Sequence, residues 1–219
     1  LLIIEDNAQA IGAKASTRGL NGTFATGGLG HASGISFYPT KNLGGLGDAG
    51  AVITNDEQLA KIVKALANYG SDRRYHNIYK GYNCRIDELQ AAMLRVKLSV
   101  LDNETERRNI IAKTYNQHIC NPLVTVPHIF PDMVQVWHQY VVRVEKRDQF
   151  REYLADKGVQ TDIHYGTPPH LQPCYSKLRD SKLPVTEKLA NEVVSLPIAH
   201  PITVEDAVEI SKIINNFNA

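Results

Sequence analysis

With 219 residues, 43% of them hydrophobic, the chain can bury a sizeable core and form one or two domains. A balance of 24 basic against 23 acidic residues, net +1, argues against nucleic acid or an anionic membrane as partner, and no apolar run reaches bilayer-spanning length. The three cysteines, Cys84, Cys120 and Cys174, are odd in number and widely spaced, which argues against a disulfide framework and fits a reducing cytoplasm.

The chain opens in an apolar run, Leu1 to Ile4, that ends in Glu5-Asp6. It reads as a buried parallel strand with an acid at its carboxyl end, so Asn7 to Gly12 would lie at the mouth of a sheet. A start in mid-strand, without Met or a preceding turn, is expected of the continuation of a longer chain. Residues 16–31 are rich in glycine and lack an apolar period, which predicts a loop. Next comes SGISFYPTKNLGGLGDAG, residues 33–50, in which a short strand stops at Pro39 and delivers Lys41 into a glycine-rich turn. GAVIT (50–54) predicts another strand. Thr54 with Glu57 predicts a capping box for a helix carrying Leu59, Ile62, Val63 and Leu66, stopped by Asn68-Tyr69-Gly70.

Residues 70–86 mix tyrosines with Arg73, Arg74, His76, Lys80 and Arg85, and read equally as an exposed loop or as an interface or ligand rim. One long helix is expected from Asp87 through Ile119, ended by Pro122, and it bridges two domains: 1–103, and 104–219 of α+β type. In the second, strands are expected over Trp137–Val144 and Val159–Tyr165. Helices are expected over Asp148–Lys157, closed by Gly158, and over 186–195 and 203–217, the last capped by Thr203 with Asp206. TPPHLQPCY (167–175), with three prolines, must be irregular. His164, His170 and Cys174 match no standard ligand spacing, so no metal is expected.

Asp6, Gln9, Ser36 and Lys41 thus stand at or just beyond strand ends, where α/β sheets bind ligands. An acid and a lysine facing one cofactor is the arrangement pyridoxal phosphate (PLP) chemistry requires. The amine forms a Schiff base, and the carboxylate keeps the pyridine nitrogen protonated so that the ring accepts charge.

EDNAQAIGA (5–13), SFYPTKNLGGLGDAGAVITND (36–56), NYGS (68–71), GYNCRIDELQAAMLRVKL (81–98), WHQYVVR (137–143) and IHYGTPPHLQPCY (163–175) together resemble the DegT/DnrJ/EryC1/StrS nucleotide-sugar aminotransferases. The resemblance implies an α/β fold: part of the large domain of the type I PLP-dependent transferases, with a mainly parallel sheet and helices, followed by a smaller α+β domain. It implies Lys41 as the Schiff-base lysine, Asp6 on the pyridine nitrogen, Gln9 near the ring hydroxyl and Ser36 on the phosphate. It further implies Asn83 on the phosphate of a neighbouring subunit's cofactor, hence a homodimer with a shared active site, and Tyr38, His164 and Tyr165 toward the substrate. Asn7 and His31 depart from the family's common residues, and the segment that precedes Glu5-Asp6 in the family, with its phosphate turn and stacking aromatic, does not precede them here.

The activity so implied is amination of a nucleotide-linked keto-sugar with an amino-acid donor such as glutamate, in amino sugar and polysaccharide biosynthesis. A sugar dehydratase of the same family commonly has histidine at the lysine position, so Lys41 favours amination. A catalytically silent fragment or regulatory binding module on the same fold is the alternative from another class.

Overall fold

The structure is a computed structural model that describes residues 1–16 and 22–218. It divides into two compact units, Leu1–Arg107 with Phe130–His138, and Arg108–Ile129 with Gln139–Ala219.

In the first unit, β1 (Ile4–Asp6) pairs in parallel with β4 (Ala32–Ser36), which pairs antiparallel with β5 (Gly50–Ile53). Among the described residues β1 pairs on one side, with β4, and β1 and the residues before it are exposed, Ile4 at 79%, so the parallel strand forms but is not buried as expected from Leu1–Ile4. The expected loop over 16–31 contains structure: β2 (Lys14–Ser16) and β3 (Thr23–Ala25) form an antiparallel pair. Residues 17–21 of that loop lie outside the described residues.

Helix α1 (Glu57–Ala67) is capped by Asp56, whose carboxylate accepts from the Gln58 and Leu59 amides at 2.8 and 3.0 Å. The capping box expected from Thr54 does not form. Thr54 sits two residues too early and uses its hydroxyl to accept the Asp56 amide and to donate to the His31 carbonyl. Residues 70–86 include a bulged hairpin of β6 (Ser71–Arg73) and β7 (His76–Asn77). The single long helix expected from Asp87 is two, α2 (Glu88–Leu98) and α3 (Leu101–His118), separated where the Ser99 hydroxyl donates back to the Val96 carbonyl at 2.6 Å. Leu43, Leu94 and Leu101 make a small core, joined by Ile11 and Phe37.

The second unit is built on β8 (Tyr140–Arg143) and β9 (Val193–Leu196), an antiparallel pair, with α4 (Arg147–Asp156), α5 (Pro184–Glu192) and α6 (Val204–Asn215). Strand β8 starts later than predicted because Trp137 has φ +45°. The strand expected over Val159–Tyr165 is reduced to one antiparallel bridge, Asp162 with Ser195 of β9. The helix expected over 186–195 gives way to β9 at β-branched Val193-Val194. Gly158 closes α4 at φ +79°, and Thr203 and Asp206 form the predicted capping box of α6. TPPHLQPCY holds two short 3₁₀ turns, Pro169–Leu171 and Pro173–Leu178.

Tyr115 and Tyr140 are fully buried with ring centroids 4.9 Å apart, and each hydroxyl is used: Tyr115 donates to the Pro197 carbonyl and Tyr140 to Asn116 Oδ1, both at 2.7 Å. Burial, with a smaller contribution from a neighbouring acidic group in each case, pushes both phenols far above their ordinary pKa.

Candidate active site

The parallel register of β1 on β4 sets Asp6 opposite Gly34, so Asp6 and Ser36 end adjacent strands on the same sheet edge. Beyond Asp6 the chain turns, with the Ala10 amide on the Asn7 carbonyl (3.2 Å), and Gln9 is exposed there. Beyond Ser36 it turns again. The Lys41 amide donates to the Tyr38 carbonyl and the Gly45 amide to the Phe37 carbonyl, both at 2.8 Å. A Cβ at Gly44 would lie 2.2 Å from the Pro39 carbonyl oxygen, so only glycine lets the turn close this tightly.

The groups on this edge are free to act. Asp6 Oδ1 accepts the Ala8 amide at 3.1 Å, while its second oxygen, the Lys41 amine and the Gln9 amide have no hydrogen-bond partner among the described residues. Ser36 Oγ accepts the Tyr38 amide at 3.3 Å, which leaves its proton to give. Tyr38 is half exposed.

Long-range bonds not evident in the sequence hold the Lys41 turn in place. Asn42, next to the lysine, donates to the Val136 carbonyl at 2.8 Å, and its Oδ1 lies 3.1 Å from His138 Nδ1. From α2, Gln90 Oε1 accepts the Gly47 amide at 3.0 Å and the Lys97 amine donates to the Gly44 carbonyl at 2.5 Å. Leu43 is buried in the small core directly beneath. The partners lie 43 to 96 residues apart in sequence, beyond the reach of any local pattern.

Glu5 was also missed. Strand alternation sends its side chain to the face opposite Asp6, and its carboxylate accepts three amides of the turn before β4: Gly27 at 2.7 Å on Oε2, Leu29 at 2.7 Å and Gly30 at 2.6 Å on Oε1. Burial pulls its pKa up, but the three backbone donors outweigh this and hold it below the ordinary carboxylate range.

Asn83 lies in the same unit but shares no hydrogen bond with Asp6, Gln9, Ser36 or Lys41. Its segment is strapped to the end of α1 by Tyr82 amide to Leu66 carbonyl (2.7 Å) and Cys84 amide to Ala67 carbonyl (2.9 Å). The Arg85 guanidinium spans Asn68 Oδ1 (2.7 Å) and Asn83 Oδ1 (2.6 Å) and lies 5.1 Å from the centroid of the Tyr69 ring. It thereby fixes Asn83 with its amide N–H₂ free to donate. Between α1 and the hairpin runs a groove of about 990 Å³ whose lining includes Lys61, Lys64, Arg73, Arg74 and Arg85, so part of the predicted rim does face a cavity. Lys80 does not line it.

His164 and Tyr165 belong to the second unit. His164 Nδ1 lies 2.8 Å from the Ser195 hydroxyl and Nε2 3.5 Å from Asp162, so both ring nitrogens are oriented, while the Tyr165 ring is largely exposed and meets the His164 ring edge-on at 5.3 Å. Among the described residues no group of three or more His, Cys, Asp or Glu is placed to hold a metal ion.

The family model described as DegT/DnrJ/EryC1/StrS aminotransferase matches residues 1–215. The dTDP-3-amino-3,6-dideoxy-alpha-D-galactopyranose transaminase of Aneurinibacillus thermoaerophilus is 46% identical over 217 residues, covering 99% of this chain and 58% of that protein. The erythromycin biosynthesis sensory transduction protein EryC1 of Saccharopolyspora erythraea is 46% identical over 210 residues, covering 94% and 56%. Among solved structures, S. venezuelae DesV in complex with a ketimine intermediate superimposes with a TM-score of 0.89 at 39% identity, covering 98% of this chain and 57% of DesV. The chain therefore has the fold of the sugar aminotransferases over a little more than half of their length. It belongs to the DegT/DnrJ/EryC1/StrS aminotransferase family.

Proposed function

We infer that the whole protein is a PLP-dependent aminotransferase that converts a nucleotide-linked keto-sugar into an amino sugar with an amino-acid donor such as glutamate. In this reading residues 1–103 are the C-terminal part of the PLP-binding large domain and 104–219 the small domain. The protein acts in the cytoplasm as a homodimer with a shared active site. Support comes from the transaminase relatives and, for a reducing compartment, from three free, exposed cysteines.

The observation that carries the reading is an unpartnered amine and an unpartnered carboxylate oxygen on one sheet edge, in a turn clamped on several sides. This donor set fits PLP: Lys41 Nζ to attach it, Asp6 for the pyridine nitrogen, Gln9 for the ring hydroxyl, and Ser36, with Asn83 from the neighbouring subunit, for the phosphate. When bound, PLP supplies an electron-accepting ring. Asp6 Oδ2, which no described group occupies, would hold the proton on the ring nitrogen. Lys41 Nζ would attach the cofactor and, when not so engaged, would carry a proton between carbon atoms as general base. The clamps restrict where that amine can go, which is how positioning lowers the barrier. Tyr38, His164 and Tyr165 are assigned to the substrate, and the amine at position 41 favours amination over dehydration.

Adding PLP to the purified whole protein should produce a visible absorption band that disappears on adding glutamate and is never formed by Lys41→Ala. A wild-type protein without the band would contradict the assignment. The EryC1 relative is described as a sensory transduction protein, which supports a second reading, a regulatory module that binds ligand without turnover. A band that glutamate leaves unchanged would favour it.

A further inference from the structure

We propose that Glu5 is a positioning residue for the edge that carries Asp6 and Lys41: its carboxylate sets the turn Thr26–Gly30 and so fixes β1 against β4. This rests on the PLP reading of that edge. Strand β1 has only three residues, and its ladder with β4 is the first tie on Asp6. The second tie is the turn that feeds β4. Glu5 gathers the amides of Gly27, Leu29 and Gly30 on its two oxygens. Glycine at two of these positions makes the approach possible, since Gly27 has φ +89° and a Cβ at Gly30 would lie 3.0 Å from the Ile3 carbonyl oxygen. The turn is then returned to β1, with the His31 amide on the Ile3 carbonyl (2.9 Å) and the Ile3 amide on His31 Nδ1 (3.0 Å). Glu5 and Asp6, neighbours on opposite faces, thus divide the work: one anchors the strand and the other is left free.

The test compares wild type with Glu5→Gln, which keeps the shape but faces the Gly27 amide with another donor. In wild type, hydrogen exchange should find Gly27, Leu29 and Gly30 protected and Gly28, which donates to no described group, unprotected. In Glu5→Gln the first three should exchange about tenfold faster and the dissociation constant for PLP should rise about tenfold, as the loss of one charge-assisted bond predicts. Reductive attachment to Lys41 at saturating PLP should persist. Unprotected wild-type amides would overturn the proposal even if the variant does not fold. So would a loosened turn with unchanged PLP affinity. A wild-type protein that takes up no PLP overturns Glu5's role toward the cofactor together with the reading of the edge, whereas protected amides in that protein would still support its setting of the turn; the two failures are told apart.

Discussion

In the second unit Tyr115, Tyr140, Phe150, Leu154 and Ile214 are wholly buried, packed by α3, α4, α6 and the β8–β9 pair. In the first unit the proposed chemistry sits on a three-residue edge strand and a glycine turn, and α2 leaves Leu89 (80%) and Val96 (71%) exposed. Apolar burial dominates the one, whereas in the other the Lys41 turn rests on a small apolar core and is held in place by directed polar bonds to backbone groups. The difference teaches where each kind of substitution should be felt. Truncating the second unit's core should cost stability without touching the amine, and cutting the first unit's clamps should misplace the amine at little cost in stability.

The largest expected effect tests the first half of that contrast. Phe150→Ala removes a fully buried ring that meets Phe217 edge-on at 5.1 Å, and should destabilise the second unit by about 3–5 kcal/mol in urea unfolding. Its PLP affinity at low denaturant should match wild type. Next, Tyr140→Phe leaves Asn116 Oδ1 without its buried donor and should cost about 1–3 kcal/mol, again without effect on PLP binding. The second half is tested by Asn42→Ala, which frees the Lys41 turn from the Val136 carbonyl. PLP affinity should fall about fivefold, equivalent to about 1 kcal/mol, with an unfolding midpoint moved less than by Phe150→Ala. If Asn42→Ala instead unfolds the protein as readily as Phe150→Ala, the two regions are not held differently.

Legibility follows the same division. Features set by neighbours in sequence were readable: the Thr203–Asp206 box, the Gly158 stop, the strand-end acid and the lysine after Pro39. Where two local signals compete, the pattern misleads. Thr54 and Asp56 both qualify as a cap for α1, and only the backbone decides that Asp56 is in position. Likewise Val193-Val194 could close a helix or start a strand until β8 offers a partner. The clamps on the Lys41 turn and the cradle around Glu5 were invisible, because each joins groups that only the folded chain brings within bonding distance. Arg85, which fixes Asn83 through two amide oxygens, is a nearer case, since GYNCR places it two residues away but cannot say which way it points.

The smallest expected effect is electrostatic. The Thr203 amide and hydroxyl both donate to Asp206 at 2.9 Å, the amide contributing most, and hold its carboxyl below the ordinary range. The sign follows: a carboxyl whose pKa is lowered by folding stabilises α6 above its unfolded pKa of about 3.9, and that contribution is lost as pH falls through the lowered folded value. Acid titration followed by circular dichroism should show this loss in wild type and not in Asp206→Asn.

The most direct test of the central assignment is chemical. The protein is incubated with PLP, reduced with borohydride, digested and mapped by mass spectrometry. The account predicts one modified peptide, carrying the label on Lys41, and none in Lys41→Ala. Label on another lysine, such as Lys61 or Lys64 of the basic groove, or equal labelling of the Lys41→Ala variant, would contradict it.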